Sequence, residues 1–142
     1  MEGMMSRSIF INLATKDVAA SKRLFEGIGF AINPKYSNDD CICVEVAQNI
    51  AVLLISEQHF KHFTPKHIAN SQDSAETLLC IGCESRDEVD AMVAKAILFG
   101  AKVSREAEDH GMMYSRWFDD YEGRSWELAY IEPPESSQKF AK

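Results

Sequence analysis

A repeated order of elements constrains this chain more than any other feature. The stretch from Ile9 to Ile32 reads IFINLATKDVAASKRLFEGIGFAI, and the stretch from Leu78 to Val103 reads LLCIGCESRDEVDAMVAKAILFGAKV. Each runs from an apolar strand through a polar helix start and an amphipathic helix to a glycine at the turn into the next strand. Each then continues into three short strands. Such a repeat sets the architecture of the whole chain, because one unit cannot cover both faces of its own sheet. The expected fold is α+β: tandem βαβββ modules, residues 8–63 and 76–131, whose curved mixed sheets surround a cleft. Residues 64–75 read as the linker and 132–142 as a flexible tail, the whole of 1–142 forming a single domain.

The local signals are specific. Ser8 to Ala14 is a strand, and Thr15 or Asp17 can cap the helix that follows. Val18, Leu24, Phe25 and Ile28 give that helix its apolar stripe, and Gly29 ends it. Strands are expected over Ala31 to Tyr36, Cys41 to Val46 and Ala51 to Ile55, then a short helical lobe from Glu57 to Phe63. In the second module Ser85-Arg86-Asp87-Glu88 is a capping box. Val89, Met92, Val93, Ala96 and Ile97 then recur at helical spacing, and Phe99-Gly100 closes the helix. Lys102 to Arg105, Met112 to Phe118 and Ser125 to Tyr130 complete the strands.

Bulk properties exclude several classes. A chain of 142 residues buries roughly 70% of its unfolded surface without help from metal or disulfide. A net charge of -7 argues against a nucleic-acid partner. The apolar run Ile50 to Ile55 falls far short of the ~20 residues that span a membrane. Met1 to Arg7 lacks the apolar core of a signal peptide, so a cytoplasmic location is expected. Cys80 and Cys83 point to opposite faces of a strand, and Cys41 with Cys43 makes only half a zinc site, so all four read as buried or half-buried reduced thiols. His59 and His62 could be helix neighbours but have no third firm ligand, so they and His67 read as exposed. Gly27-Ile28-Gly29 ends a helix and is no phosphate loop.

Two segments carry a family likeness: Leu13-Ala-Thr-Lys-Asp17 leading into SKRLFEGIGF (21–30), and FDDYEGRSWEL (118–128). With them the chain resembles the vicinal oxygen chelate superfamily, which includes glyoxalase I, extradiol dioxygenases and bleomycin-resistance proteins. The likeness covers nearly the whole chain, and MMYSRWFDDYEGRSWEL (112–128) is most similar to the small lactoylglutathione lyase-like branch. The resemblance implies four metal-ligand positions, which fall at Phe10, near Leu53, at Leu78 and at Glu127. Of these only Glu127 offers a donor, and Asn12, on the face of Phe10, is a weak ligand. No metal or other cofactor is therefore expected, a divalent ion at Glu127 being the alternative.

The resulting expectation is a metal-independent protein that binds a small organic molecule in the cleft and forms a homodimer, with neither nucleic acid nor membrane as partner. Its ligand-binding residues would be Phe10, Asn12, Leu53, Leu78, Tyr114, Arg116 and Glu127. Tyr114 and Arg116 share one face of their strand, with Arg116 as a partner for Glu127 or for an anionic ligand. Trp117 and Trp126 would line the pocket or belong to the core. Two alternatives stand beside this reading. One is a divergent lyase, isomerase or dioxygenase with Glu127 as catalytic group; the other is a structural or regulatory dimer with a filled cleft. The residues leave open whether the chain is an enzyme.

Overall fold

The computed structural model describes residues 6–133. The chain divides between Asn70 and Ser71 into two compact units, each with the strand–helix–three-strand order. Among the described residues no helix is long and apolar enough to cross a membrane.

The first unit contains β1 (Ile9–Thr15), α1 (Val18–Ile28), β2 (Ala31–Ile32), β3 (Cys41–Ala47), β4 (Ile50–Ser56) and the short α2 (Glu57–Phe60). Its sheet order is β1-β4-β3-β2, with β1 parallel to β4 and the other pairs antiparallel. Asp17 caps α1 by accepting from the Ala20 amide at 2.9 Å, and Gly29, at φ 121°, ends it. Leu24, Phe25 and Ile28 are buried, as are Ile42, Val44, Val52 and Leu54 on the matching face of the sheet. The strand expected from Ala31 to Tyr36 stops at Ile32. Pro34 has no amide hydrogen for the ladder and instead opens a 3-10 turn, Pro34–Tyr36, capped by Asn33.

The second unit contains β5 (Leu79–Gly82), α3 (Arg86–Leu98), β6 (Glu108–Asp109), β7 (Met113–Asp119) and β8 (Ser125–Ile131), in sheet order β5-β8-β7-β6. Strand β5 is parallel to β8 and the rest is antiparallel, so both sheets are mixed. Ser85 Oγ accepts from the Glu88 amide at 3.0 Å. The Glu88 carboxylate accepts from the Glu84 amide at 2.8 Å, one residue before the cap where the reciprocal bond was expected. Helix α3 buries only Val89, Val93 and Ala96; Ile97, expected in the stripe, is 49% exposed. The strand expected over Lys102 to Arg105 shrinks to one bridge, Lys102 with Asp119. Ser104 donates its hydroxyl to Asp119 Oδ2 at 2.7 Å where backbone pairing would continue, and β6 takes the sheet edge. The expected tail lies, from residue 134 onward, outside the described residues.

Candidate functional site

In each unit, strand alternation leaves one sheet face turned away from the unit's own helix. In the first unit that face carries two cross-strand rows, Phe10–Ala51–Glu45 and Asn12–Leu53–Cys43. Three expected site residues therefore share a face, with Asn12 directly beside Leu53 and one row from Phe10. Phe10 is 60% exposed, Asn12 is exposed and Leu53 is half-buried.

In the second unit Glu127 stands on β8 between Cys80 of β5 and Trp117 of β7. From the adjacent row, buried Ser115 donates its hydroxyl to Glu127 Oε2 at 2.8 Å. The Arg105 guanidinium covers the Trp117 ring at 3.8 Å and pairs with Glu108 at 2.5 Å. Burial of the sulfur, and then the neighbouring Glu127 carboxylate, push the Cys80 thiol up, so it stays protonated at neutral pH. Leu78 lies just before β5 and is 80% exposed. Sequence reasoning missed Ser115, Cys80 and Arg105. Ser115 could have been found from the register of the β7–β8 hairpin.

Tyr114 and Arg116 do share a face, but it is the face packed on α3. Tyr114 donates its hydroxyl to Asp90 Oδ1 at 2.5 Å, and Arg116 Nη1 donates to the same oxygen at 3.2 Å. Arg116 is therefore the partner of Asp90 and not of Glu127, because strand alternation sends positions 116 and 127 to opposite sides of the sheet. The Tyr114 hydrogen bond, followed by Arg116, holds Asp90 below its ordinary carboxylate range, while Asp90 pushes the Tyr114 phenol up. Trp126 belongs to the core: it stacks on Phe118 at 6.2 Å and donates Nε1 to Asp120 at 2.9 Å. The four cysteines are free thiols; Cys41 and Cys43 are buried, Cys83 is half-buried and Cys80 is exposed.

The donor set does not fit the divalent metal that the resemblance implies. Phe10, Leu53 and Leu78 carry no ligand atom, and Glu127 supplies one carboxylate already engaged by Ser115. Among the described residues no three His, Cys, Asp or Glu side chains gather as a metal would require. His59 and His62 meet edge to face at 5.5 Å without a third ligand.

No family model matches the sequence, and no curated protein does. Solved structures do match. A hypothetical protein from S. aureus superimposes with a TM-score of 0.75 at 23% identity, over 90% of this chain and 96% of that one. A glyoxalase-related enzyme from Fulvimarina pelagi gives 0.74 at 20% identity, over 89% of this chain and 88% of that one. A glyoxalase/bleomycin resistance protein/dioxygenase family enzyme from Burkholderia phytofirmans gives 0.71 at 14% identity, over 89% and 99%. Identities this low speak to architecture alone: the chain has the glyoxalase/bleomycin-resistance fold.

Proposed function

We propose that this is a metal-independent protein that binds a small organic molecule on the sheet faces turned away from its helices. One observation carries the reading. Three positions where the resemblance implies metal ligands hold Phe10, Leu53 and Leu78, and two of these are 60% and 80% exposed. Apolar side chains left exposed at such positions suit contact with an organic ligand better than coordination of an ion. On the first unit this reading uses Phe10, Asn12 and Leu53, and on the second Leu78 and Glu127. Four free thiols accord with a cytoplasmic location, and a homodimer follows from the resemblance.

The Ser115–Glu127 hydrogen bond favours a second reading, a divergent lyase, isomerase or dioxygenase in which the oriented carboxylate moves a proton. Lyase chemistry of the lactoylglutathione type is the weaker form of it, because that chemistry relies on a Lewis-acid metal whose donors are missing at three of four positions.

Protein purified without a histidine tag should carry no stoichiometric metal. Titration with nickel, zinc, manganese or iron(II) should leave its melting temperature unchanged, whereas a small-molecule library should yield saturable upward shifts. Stoichiometric metal that is lost in Glu127→Ala would overturn the metal-independent reading. Under the enzyme reading Glu127→Gln folds normally and abolishes turnover. Under the filled-cleft reading no compound shifts the melt.

A further inference from the structure

We infer that the first unit holds a subsite for an organic cation, between the rings of Phe10 and Tyr36 and beside the carboxylate of Glu45. This deepens the small-molecule reading above and rests on it. The subsite is a notch of about 160 Å³ whose lining includes Phe10, Tyr36, Cys43, Glu45 and Ala51. That volume is roughly five waters, which is the size of a trialkylammonium head group.

The notch is built by one row of the sheet. Phe10, Ala51 and Glu45 lie opposite one another on three neighbouring strands. Ala51 is too small to fill the space between its neighbours, which stand on strands about 10 Å apart, so an aromatic and an acidic residue flank a shallow floor. A register shift between Glu45 and Ala47 ends regular pairing just beyond the carboxylate. Tyr36 closes the notch from the 3-10 turn. Two bonds dock that turn on β3, Asn33 N–H to Cys43 O at 2.9 Å and Cys43 N–H to Ser37 Oγ at 3.0 Å, and a third, Ser37 O–H to Asn33 O at 2.6 Å, closes the turn on itself. The aromatic wall is thus held in place before any ligand arrives.

The charge pattern selects a cation. Glu45 is the one charged residue in the lining, and its side chain makes no hydrogen bond or ion pair among the described residues. Phe10 and Tyr36 are 60% and 54% exposed, and their ring faces are attractive to positive charge. Lys35, which is not part of the lining, already places Nζ 5.4 Å from the centroid of Tyr36. Burial, and then Glu45, push the Cys43 thiol up, so the wall adds no second negative group at neutral pH. The net charge of -7 favours cation encounter.

The test is an NMR titration of the whole chain with tetramethylammonium, with tert-butanol as a neutral probe of similar size and sodium chloride at matched ionic strength. Tetramethylammonium should move the Phe10 and Tyr36 ring signals saturably, and Glu45→Gln should weaken that binding roughly tenfold. Tert-butanol should bind more weakly and be indifferent to Glu45→Gln. Equal binding of both probes, or cation binding unchanged in Glu45→Gln, would overturn the cation subsite and leave the small-molecule reading standing. Absence of any saturable shift by the cation, with library compounds still binding elsewhere, would do the same. Silence from both cation and library would overturn the subsite and the reading on which it rests.

Discussion

In the first unit β3 turns into β4 through Gln48 and Asn49 alone, whereas in the second β7 reaches β8 through a loop from Asp120 to Arg124. The short turn is held by the strands it joins. The longer loop is organised around the buried carboxylate of Asp120. Asp120 accepts from the amides of Glu122 at 2.9 Å and Arg124 at 3.0 Å, from Arg124 Nη1 at 3.0 Å and from Trp126 Nε1 at 2.9 Å. Burial pushes the Asp120 carboxyl up, and the surrounding donors work against that cost. The helices differ in the same sense. Helix α1 is fastened by Leu24, Phe25 and Ile28. Helix α3 buries smaller side chains and adds polar ties, with Arg86 bidentate to Asp109 at 2.8 and 3.0 Å and Asp90 bound to Tyr114 and Arg116. Helix α1 is thus held by larger apolar side chains and one buried Thr15–Ser21 bond, and α3 by smaller apolar side chains and several polar ties at the surface.

The contrast can be broken experimentally, starting with packing. Phe25→Ala should cost about 3–5 kcal/mol in chemical denaturation, and Val93→Ala, on the equivalent face of α3, about 1–3 kcal/mol. Equal losses would mean that the two helices are fastened alike. Next comes the loop. Asp120→Ala removes the buried acceptor of four hydrogen bonds and should cost about 2–4 kcal/mol, against less than about 0.5 kcal/mol for Asn49→Ala. A negligible Asp120 effect would remove the difference between the hairpins. The smallest effect concerns the exposed Arg86–Asp109 tie. The guanidinium, and then the Gly111 amide, hold the Asp109 carboxyl down at about 2. Because this pKa is depressed in the fold, its contribution is complete above the ordinary carboxylate range and is lost as pH falls through about 2. The Gly111 amide signal should titrate with that midpoint; a midpoint at the ordinary value of 3.8 would show that the tie does not form in solution.

Elements with a strong period or an explicit stop signal were legible before any coordinates. Leu24, Phe25 and Ile28 with Asp17 and Gly29 define α1, and Ser85 with Glu88 starts α3. Two strands come out shorter than the alternation predicts, because Pro34 opens a local turn and Ser104 bonds the Asp119 side chain where the ladder would continue. The site was legible only as far as parity reaches within one strand. Phe10 and Asn12 were correctly set on one face, and so were Tyr114 and Arg116. Whether Arg116 meets Glu127 depends on the register across the β7–β8 loop, which Asp120 fixes through bonds to backbone amides. The segment FDDYEGRSWEL was readable as a family likeness, but its physical role as a clamp was not.

The parallel pairing of β1 with β4, Ile9 opposite Ile50 and Thr15 opposite Ser56, has a consequence for how the protein is made. Among the described residues the first strand of each unit pairs only with that unit's last strand, β1 with β4 and β5 with β8. On the ribosome Ile11 and Leu13 therefore wait without a pairing partner until the chain has been extended through β4. The helix and the β3–β4 hairpin can form meanwhile from local contacts. Closing the long segment between the outer strands is then the slow step, since non-local pairing limits folding rate more than stability. The first half can finish this closure while the second still lacks β8, so birth order, and not only geometry, divides the molecule in two.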